Sequence, residues 1–193
     1  PRVTGETTRI SELVEQLGRF ADAMQRARGL APAQWEVLRY LGRANRYSRQ
    51  PGALAAFLGT TKGTVSQTVI ALERKGLIER TGNPRDRRSV HLTLTPAGQA
   101  MLNDDPLAEI AAAAATLRRA TATNLATDLA DLLLSLQRRA GRRSFGICAT
   151  CRFFRRNAAE REAGGPHRCG LTQEPLGDAD IVRICVEHET SAA

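Results

Sequence analysis

GTTKGTVSQTVIALERKGLIERTGNPRDRRSVHLTLT, residues 59–95, reads as one helix followed by one β-hairpin. Thr61 is a natural N-cap, because its hydroxyl can accept a bond from a backbone N–H that the first helical turn leaves unpaired. Val65, Val69 and Leu72 follow at helical spacing and predict a core-facing stripe. Lys62, Thr64, Ser66, Gln67 and Thr68 lie near the helix start, short or polar, as a helix entering a DNA groove requires. Gly76 predicts the stop, since glycine tolerates the left-handed conformation there. Leu77 to Arg80 reads as a short strand and Gly82, Asn83 and Pro84 as the turn. Val90, Leu92 and Leu94 alternate with polar residues and mark a half-buried return strand. The tip, Arg85-Asp86-Arg87-Arg88, offers three arginines suited to phosphates or a narrow minor groove.

Working outward on the N-terminal side, Ile10, Leu13, Val14, Leu17, Ala21 and Met24 form a stripe at three- and four-residue steps, predicting a helix over 7–27. That stripe is too apolar for a lone surface helix and suits a dimer interface. Pro32 opens a second helix ending near Gly42, and its Trp35, Leu38 and Leu41 read as core. Ser48 to Pro51 reads as a linker, and Gly52 to Leu58 as the helix before the polar one. On the C-terminal side, Thr95-Pro96 predicts another helix start. Pro106 should kink or restart that helix, 107–120 is an alanine-rich helical segment, and Thr123 is expected to cap a last helix ending near Arg139. Leu125, Leu129, Leu132, Leu133 and Leu136 make that helix's apolar face.

Three motifs in order, LAPAQWEVLRYL at 30–41, LAAFLGTTKGTVSQTVIALERKGLIER at 54–80 and DRRSVHLTLTPAG at 86–98, resemble the winged helix-turn-helix of the MarR family of bacterial transcription regulators. The wing's D-x-R pattern falls on Asp86 and Arg88, and its L-T-x-x-G ending on Leu94, Thr95 and Gly98. The resemblance covers about the first 140 residues. It implies a homodimer on double-stranded DNA with a pseudo-palindromic operator, mostly in repression. It also implies a dimerisation bundle made of the first and last helices, and a possible small-molecule effector. The DNA contacts it implies fall on Thr61, Lys62, Thr64, Ser66, Gln67, Thr68, Arg85, Arg87 and Arg88. Gly63 departs from the pattern, which more usually has a hydroxyl residue there.

The 193 residues carry a formal net charge of +8, which favours an anionic partner such as nucleic acid. An aromatic content of 4% argues against recognition of single strands by base stacking. No apolar run suggests a membrane span or a signal peptide, so the expected location is cytoplasmic. In that compartment cysteines are more often metal ligands or redox groups than disulfides.

Beyond the basic hinge Arg138 to Arg143 the family pattern stops. Cys148 and Cys151 form C-x2-C, and Cys169 and Cys185 follow after gaps of 17 and 15 residues. A segment with so few apolar residues usually needs a metal or a crosslink to fold. Four thiolates fill either a tetrahedral zinc site or an iron–sulfur cluster. A zinc ribbon normally offers two C-x2-C knuckles. One pair followed by two single cysteines resembles high-potential iron–sulfur proteins, and Phe153 and Phe154 would shield such a cluster. A 4Fe–4S cluster is favoured, with zinc as the alternative and 2Fe–2S or a thiol switch behind it. His167 and His188 are expected to be exposed or to support the ligands.

The expected fold is mainly α with a small β-wing. It comprises an N-terminal dimerisation helix (1–30), a winged helix-turn-helix (31–95), dimerisation helices (96–143) and a metal-stapled four-cysteine module (144–193). The expected function is DNA-binding regulation, not catalysis, with the cysteines sensing redox, oxygen or iron. The alternative is a repressor answering to a small aromatic or acyl ligand, with structural zinc in the tail. The cysteine module is expected to act through the last dimerisation helix, to which it is attached.

Overall fold

The computed structural model describes residues 4–83, 86–142, 145–158 and 164–189, with side chains described for all of these except 83 and 86–89. The chain runs α1 (Gly5–Ala27), α2 (Pro32–Arg43), α3 (Pro51–Leu58), α4 (Lys62–Arg74), wing strands β1 (Ile78–Asn83) and β2 (Asp86–Leu94), α5 (Pro96–Asn103), α6 (Ala108–Ala114) and α7 (Arg119–Arg139). Among the described residues no helix is long and apolar enough to cross a membrane.

One core unites α2, α3, α4 and the wing. Trp35, Leu38 and Leu41 of α2, Leu54 of α3, Val65, Val69 and Leu72 of α4, and Ile78 and Leu92 of the wing pack together. The stripes foreseen at helical spacing on α2 and α4 are buried, and each fully buried leucine or valine contributes on the order of 2 kcal/mol. Pro32 and Pro51 occupy first-turn positions, where the missing N–H costs nothing. Gly76 takes φ +68°, and the Leu77 N–H closes back on Leu72 O at 3.0 Å.

The wing is tighter than its composition suggests. β1 runs through Gly82 and Asn83, and Asn83 pairs with Asp86, so these expected turn residues belong to the ladder. Pro84 and Arg85 lie outside the described residues. At the wing's base the Thr95 N–H donates to Leu77 O at 3.1 Å, while the Thr95 hydroxyl donates to Gly76 O at 2.6 Å and caps the Gly98 N–H at 3.1 Å. A Cβ on Gly98 would overlap the Leu77 carbonyl oxygen. Gly98→Ala therefore has to push α5 off the wing, and we expect it to cost about 3 kcal/mol, the upper range for overpacking. A urea titration checks this, and an unchanged midpoint would mean that α5 shifts freely.

The chain breaks around Pro106 as expected, between α5 and α6, but the next break falls earlier than Thr123. The alanine-rich segment is helical only to Ala114, and α7 starts at Arg119 after an extended Arg118. Thr116 donates its hydroxyl to Ala113 O at 2.8 Å, offering the backbone a local alternative to the helix. Thr123 does not cap α7; it lies inside the helix, bonded to Arg119 O. In the single chain α1 and α7 leave apolar faces open. Ile10, Leu13, Val14, Leu17 and Phe20 are exposed on one, and Leu125, Leu129, Leu132, Leu133 and Leu136 on the other.

The C-terminal module holds two small sheets. β3 (Gly146–Ile147) pairs with β7 (Ile184–Cys185), and β4 (Phe154–Arg155), β5 (His167–Cys169) and β6 (Pro175–Leu176) form the second, with the short helix α8 (Asp178–Ile181) before β7. The module docks on the winged domain of its own chain. Ile184 belongs to the main core, and Phe145 packs edge-on against Phe57 of α3 with centroids 5.1 Å apart. The loop between α2 and α3, which reads as a linker in sequence, is the docking surface. Its Asn45 N–H donates to Ile184 O at 2.9 Å, its Ser48 Oγ accepts the Val186 N–H at 2.8 Å, and Tyr47 OH donates to Glu174 Oε2 at 2.7 Å.

Candidate functional site

Two sites emerge. The first is the face of α4. Thr61 Oγ1 accepts the Thr64 N–H at 3.1 Å and lies 3.0 Å from Thr64 Oγ1, so both hydroxyls shape the helix start. Thr61, Lys62, Thr64 and Gln67 are exposed, and Ser66 and Thr68 half-buried. Thr68 donates its proton to Thr64 O at 3.1 Å and retains acceptor capacity. The exposed groups form one polar surface at the positive end of the helix dipole, suited to phosphates and base edges. At Gly63 an added Cβ would meet nothing closer than Thr61 Oγ1 at 3.7 Å, so the departure from the family pattern is not forced by space. Arg87 and Arg88 lie on β2, but their side chains, like all of Arg85, fall outside the described residues.

The second site is a cavity in the C-terminal module on which all four cysteines converge. Cys148, Cys151, Cys169 and Cys185 line it together with Tyr47, Phe153, Phe154, Leu171 and Leu176. Local folding explains the convergence. A single 3-10 turn, Cys148–Thr150, folds the C-x2-C pair so that the Cys151 N–H reaches Cys148 O at 3.0 Å. The β3–β7 ladder sets Gly146 opposite Cys185, and the β4–β5 ladder sets Phe154 opposite Cys169. No cysteine is in a disulfide.

The electrostatics link the four sulfurs. The Cys148 thiol donates to Cys185, which pushes Cys148 up, and burial and the charges of the other three cysteines push it the same way. Cys185 is pulled down, first by that Cys148 bond and then by Asn45, the Glu187 N–H and Ser48, against its burial. A walled group of thiols with one favoured as thiolate is a donor set that a cation completes. Among the described residues, however, no three His, Cys, Asp or Glu side chains form a group that could hold a metal ion. A single tetrahedral zinc would draw its sulfurs to about 2.3 Å from one centre. Four thiols lining one apolar cavity could take up either a zinc ion or an iron–sulfur cluster. The chemistry of the donor set and the apolar cradle thus fit a cluster.

The two nearby histidines are buried, not exposed. His167 accepts the Asn157 N–H on Nδ1 at 3.1 Å and meets Asp178 Oδ1 through Nε2 at 3.1 Å, so both nitrogens are engaged. His188 Nε2 meets Thr150 Oγ1 at 3.1 Å, inside the C-x2-C turn. Neither is among the residues lining the cavity. Sequence reasoning missed Asn45, Tyr47 and Ser48, which form the winged-domain side of this site. Their segment has no periodicity and no metal-ligand spacing to reveal them.

A family model described as MarR family matches residues 28–89. The transcriptional repressor MprA of Escherichia coli K12 is 32% identical over 81 residues, 42% of this chain and 46% of that protein. A putative transcriptional regulatory protein for the hcr operon of Thauera aromatica is 33% identical over 79 residues, 41% of this chain and 46% of that protein. The chain thus spans about half the length of these curated relatives. A probable transcriptional regulator from Pseudomonas aeruginosa is similar in structure, with 28% identity and a TM-score of 0.50 over 64% of this chain and 96% of that one. FabT of Streptococcus pneumoniae, crystallised in complex with DNA, shares the fold at 24% identity, with a TM-score of 0.57 over 67% of this chain and 96% of that one. Residues 28–89 thus match the MarR family model, and the chain shares the winged-helix fold of these solved structures.

Proposed function

We propose that the protein is a cytoplasmic homodimeric repressor that binds a pseudo-palindromic operator, and that its four cysteines hold an iron–sulfur cluster, 4Fe–4S, through which redox state, oxygen or iron supply sets its hold on DNA. The observation that carries the reading is the convergence of Cys148, Cys151, Cys169 and Cys185 on one apolar cavity built against the winged domain. When bound, a cluster supplies one-electron chemistry and sensitivity to oxidants. The chain's own part is to hold it: Phe153, Phe154 and Leu176 keep water from the sulfurs, and the ladders fix where the thiolates stand. On the DNA side Thr61, Lys62, Thr64, Ser66, Gln67 and Thr68 would enter the groove while Arg85, Arg87 and Arg88 hold the backbone.

The test is metal and sulfide analysis of protein purified without oxygen. About four iron and four sulfide per chain, lost in Cys169→Ser, is the expected result. A colourless protein with about one zinc per chain would make the module structural.

A second reading, a repressor answering to a small aromatic or acyl ligand, is favoured by one further feature. A cavity of about 170 Å³ lies where α2, β2, α5 and the module meet, lined by Arg49, Arg183, Thr93 and Gln99 among others. The Arg183 charge adds to burial in lowering the Arg49 guanidinium. A carboxylate would relieve that repulsion, and release of DNA by an aromatic carboxylate from iron-free protein would favour this reading.

A further inference from the structure

Asn45 sits in the loop between α2 and α3, in the DNA-binding half of the chain, and is 1% exposed. Its carbonyl oxygen is committed: Oδ1 accepts the Ser48 N–H at 3.0 Å and the Ser48 hydroxyl at 2.7 Å. A backbone N–H can only donate, so the amide's orientation is fixed and Nδ2 must point the other way. There Nδ2 is fully buried with no hydrogen-bond partner among the described residues. An unpaired buried amide N–H costs about 1–3 kcal/mol and calls for an explanation. Its neighbourhood supplies one. The Asn45 N–H holds Ile184 O, and Ser48 Oγ holds the Val186 N–H. The two residues therefore grip the chain on both sides of Cys185, and Cys185 is the cysteine on which the Asn45 side chain acts. A thiol is a weak acceptor; a metal-bound thiolate is a strong one.

We propose that Asn45 is the positioning residue through which the winged domain reads the cysteine cavity, its amide donating to Cys185 Sγ once that sulfur is a metal-bound thiolate. The inference rests on the cluster reading above and adds the route of regulation. Loading the cavity completes the Asn45 hydrogen bonds and stiffens residues 44–50. Arg49 O accepts the Leu92 N–H of β2 at 2.7 Å, and Gln50 O accepts the Leu54 N–H in the first turn of α3 at 3.0 Å. The state of the cavity thus reaches the wing and the helix-turn-helix of the same chain through two hydrogen bonds, without passing through α7.

The experiment uses the full chain, reconstituted without oxygen from ferrous iron and sulfide, beside the metal-free chain. Metal content comes first: a wild-type chain that takes up no metal overturns the cluster reading and this inference together. With uptake shown, hydrogen exchange on the wild type reads the route. The amides of Asn45, Ser48 and Leu92 are expected to slow on loading, and slowing confined to residues 145–189 overturns the proposal while leaving the cluster reading intact. Asn45→Asp keeps the acceptor for Ser48 and replaces the donor with a carboxylate. Loss of an N–H···S bond is expected to weaken the reduced form about tenfold, a fall of about 59 mV in midpoint potential for one electron. The probe for DNA is a duplex selected from a random pool by the loaded wild type. Loaded and metal-free wild type should differ about tenfold in affinity for it, and in Asn45→Asp that ratio should approach one. An unchanged potential and an unchanged ratio would overturn the proposal. If the variant does not fold, the wild-type exchange experiment decides alone.

Discussion

A chain carrying Leu129→Glu and Leu133→Glu is expected to sediment as a monomer and to lose about 10²–10⁴ in affinity for a two-fold operator, the factor that tethering two binding modules supplies. Leu125, Leu129, Leu132, Leu133 and Leu136 lie on one face of α7 and are 39–55% exposed in the single chain. On α1, Ile10, Leu13, Val14, Leu17 and Phe20 are 42–69% exposed. Monomers rarely leave two such stripes in water. Covering them with a second copy stabilises by on the order of 2 kcal/mol per leucine fully buried, so a few side chains per protomer suffice. Two glutamates would place like charges in the apolar seam, where each must be desolvated without a partner. Such a dimer would set two α4 helices roughly 34 Å apart, one turn of DNA, and the monomer would keep a single α4. Sedimentation velocity gives the mass, and binding to a half-site duplex gives the control. The variant should match the wild type there, because neither leucine belongs to the core around Trp35 and Leu72. A variant that stays dimeric would show that α7 is covered by something other than its own copy.

What could be read from sequence and what could not divide along a physical line. The α4 helix was legible from Thr61 to Gly76, because a cap, an apolar stripe and a left-handed stop are local devices carrying their meaning in residue type and spacing. The L-T-x-x-G ending was legible as a motif, but its reason is a contact between Gly98 and the Leu77 carbonyl across the wing base, which no local pattern encodes. The break between α6 and α7 had no glycine or proline to announce it, only Thr116 and its bond to Ala113 O. The four cysteines stood out by count. The partner that grips Cys185 did not, since Asn45 and Ser48 lie some 140 residues upstream in a basic, aperiodic loop and meet the module only in three dimensions.

Trp35→Ala is expected to cost about 3–5 kcal/mol, the range for emptying a buried aromatic site, against a total of about 5–15 kcal/mol for an ordinary domain. The side chain is 0% exposed and lies in α2. Its indole N–H donates to Gln25 O at 3.1 Å, so it ties the last turn of α1 to the winged domain. Around it Arg39 stacks with its guanidinium carbon 5.4 Å from the ring centroid, donates to Gln25 Oε1 at 2.9 Å and makes a two-pronged pair with Asp105 at 2.6 and 2.7 Å. That guanidinium holds the Asp105 carboxyl below the usual carboxylate range. Removing the indole empties the centre of the joint at which α1 meets the winged domain. Trp35→Phe separates the two contributions: it keeps most of the packing and leaves Gln25 O with only the longer Arg28 N–H bond at 3.3 Å, for about 1 kcal/mol beyond the volume lost. With a urea m-value of about 2 kcal/mol/M, the alanine variant should unfold roughly 1.5–2.5 M earlier than the wild type. A small shift there would mean that α1 is held to α2 by the Arg39–Gln25 bond without the indole. The same burial decides the ligand question for this residue. An indole with no exposed surface has no face to offer an aromatic effector, so its fluorescence should be unmoved by one unless α1 leaves α2.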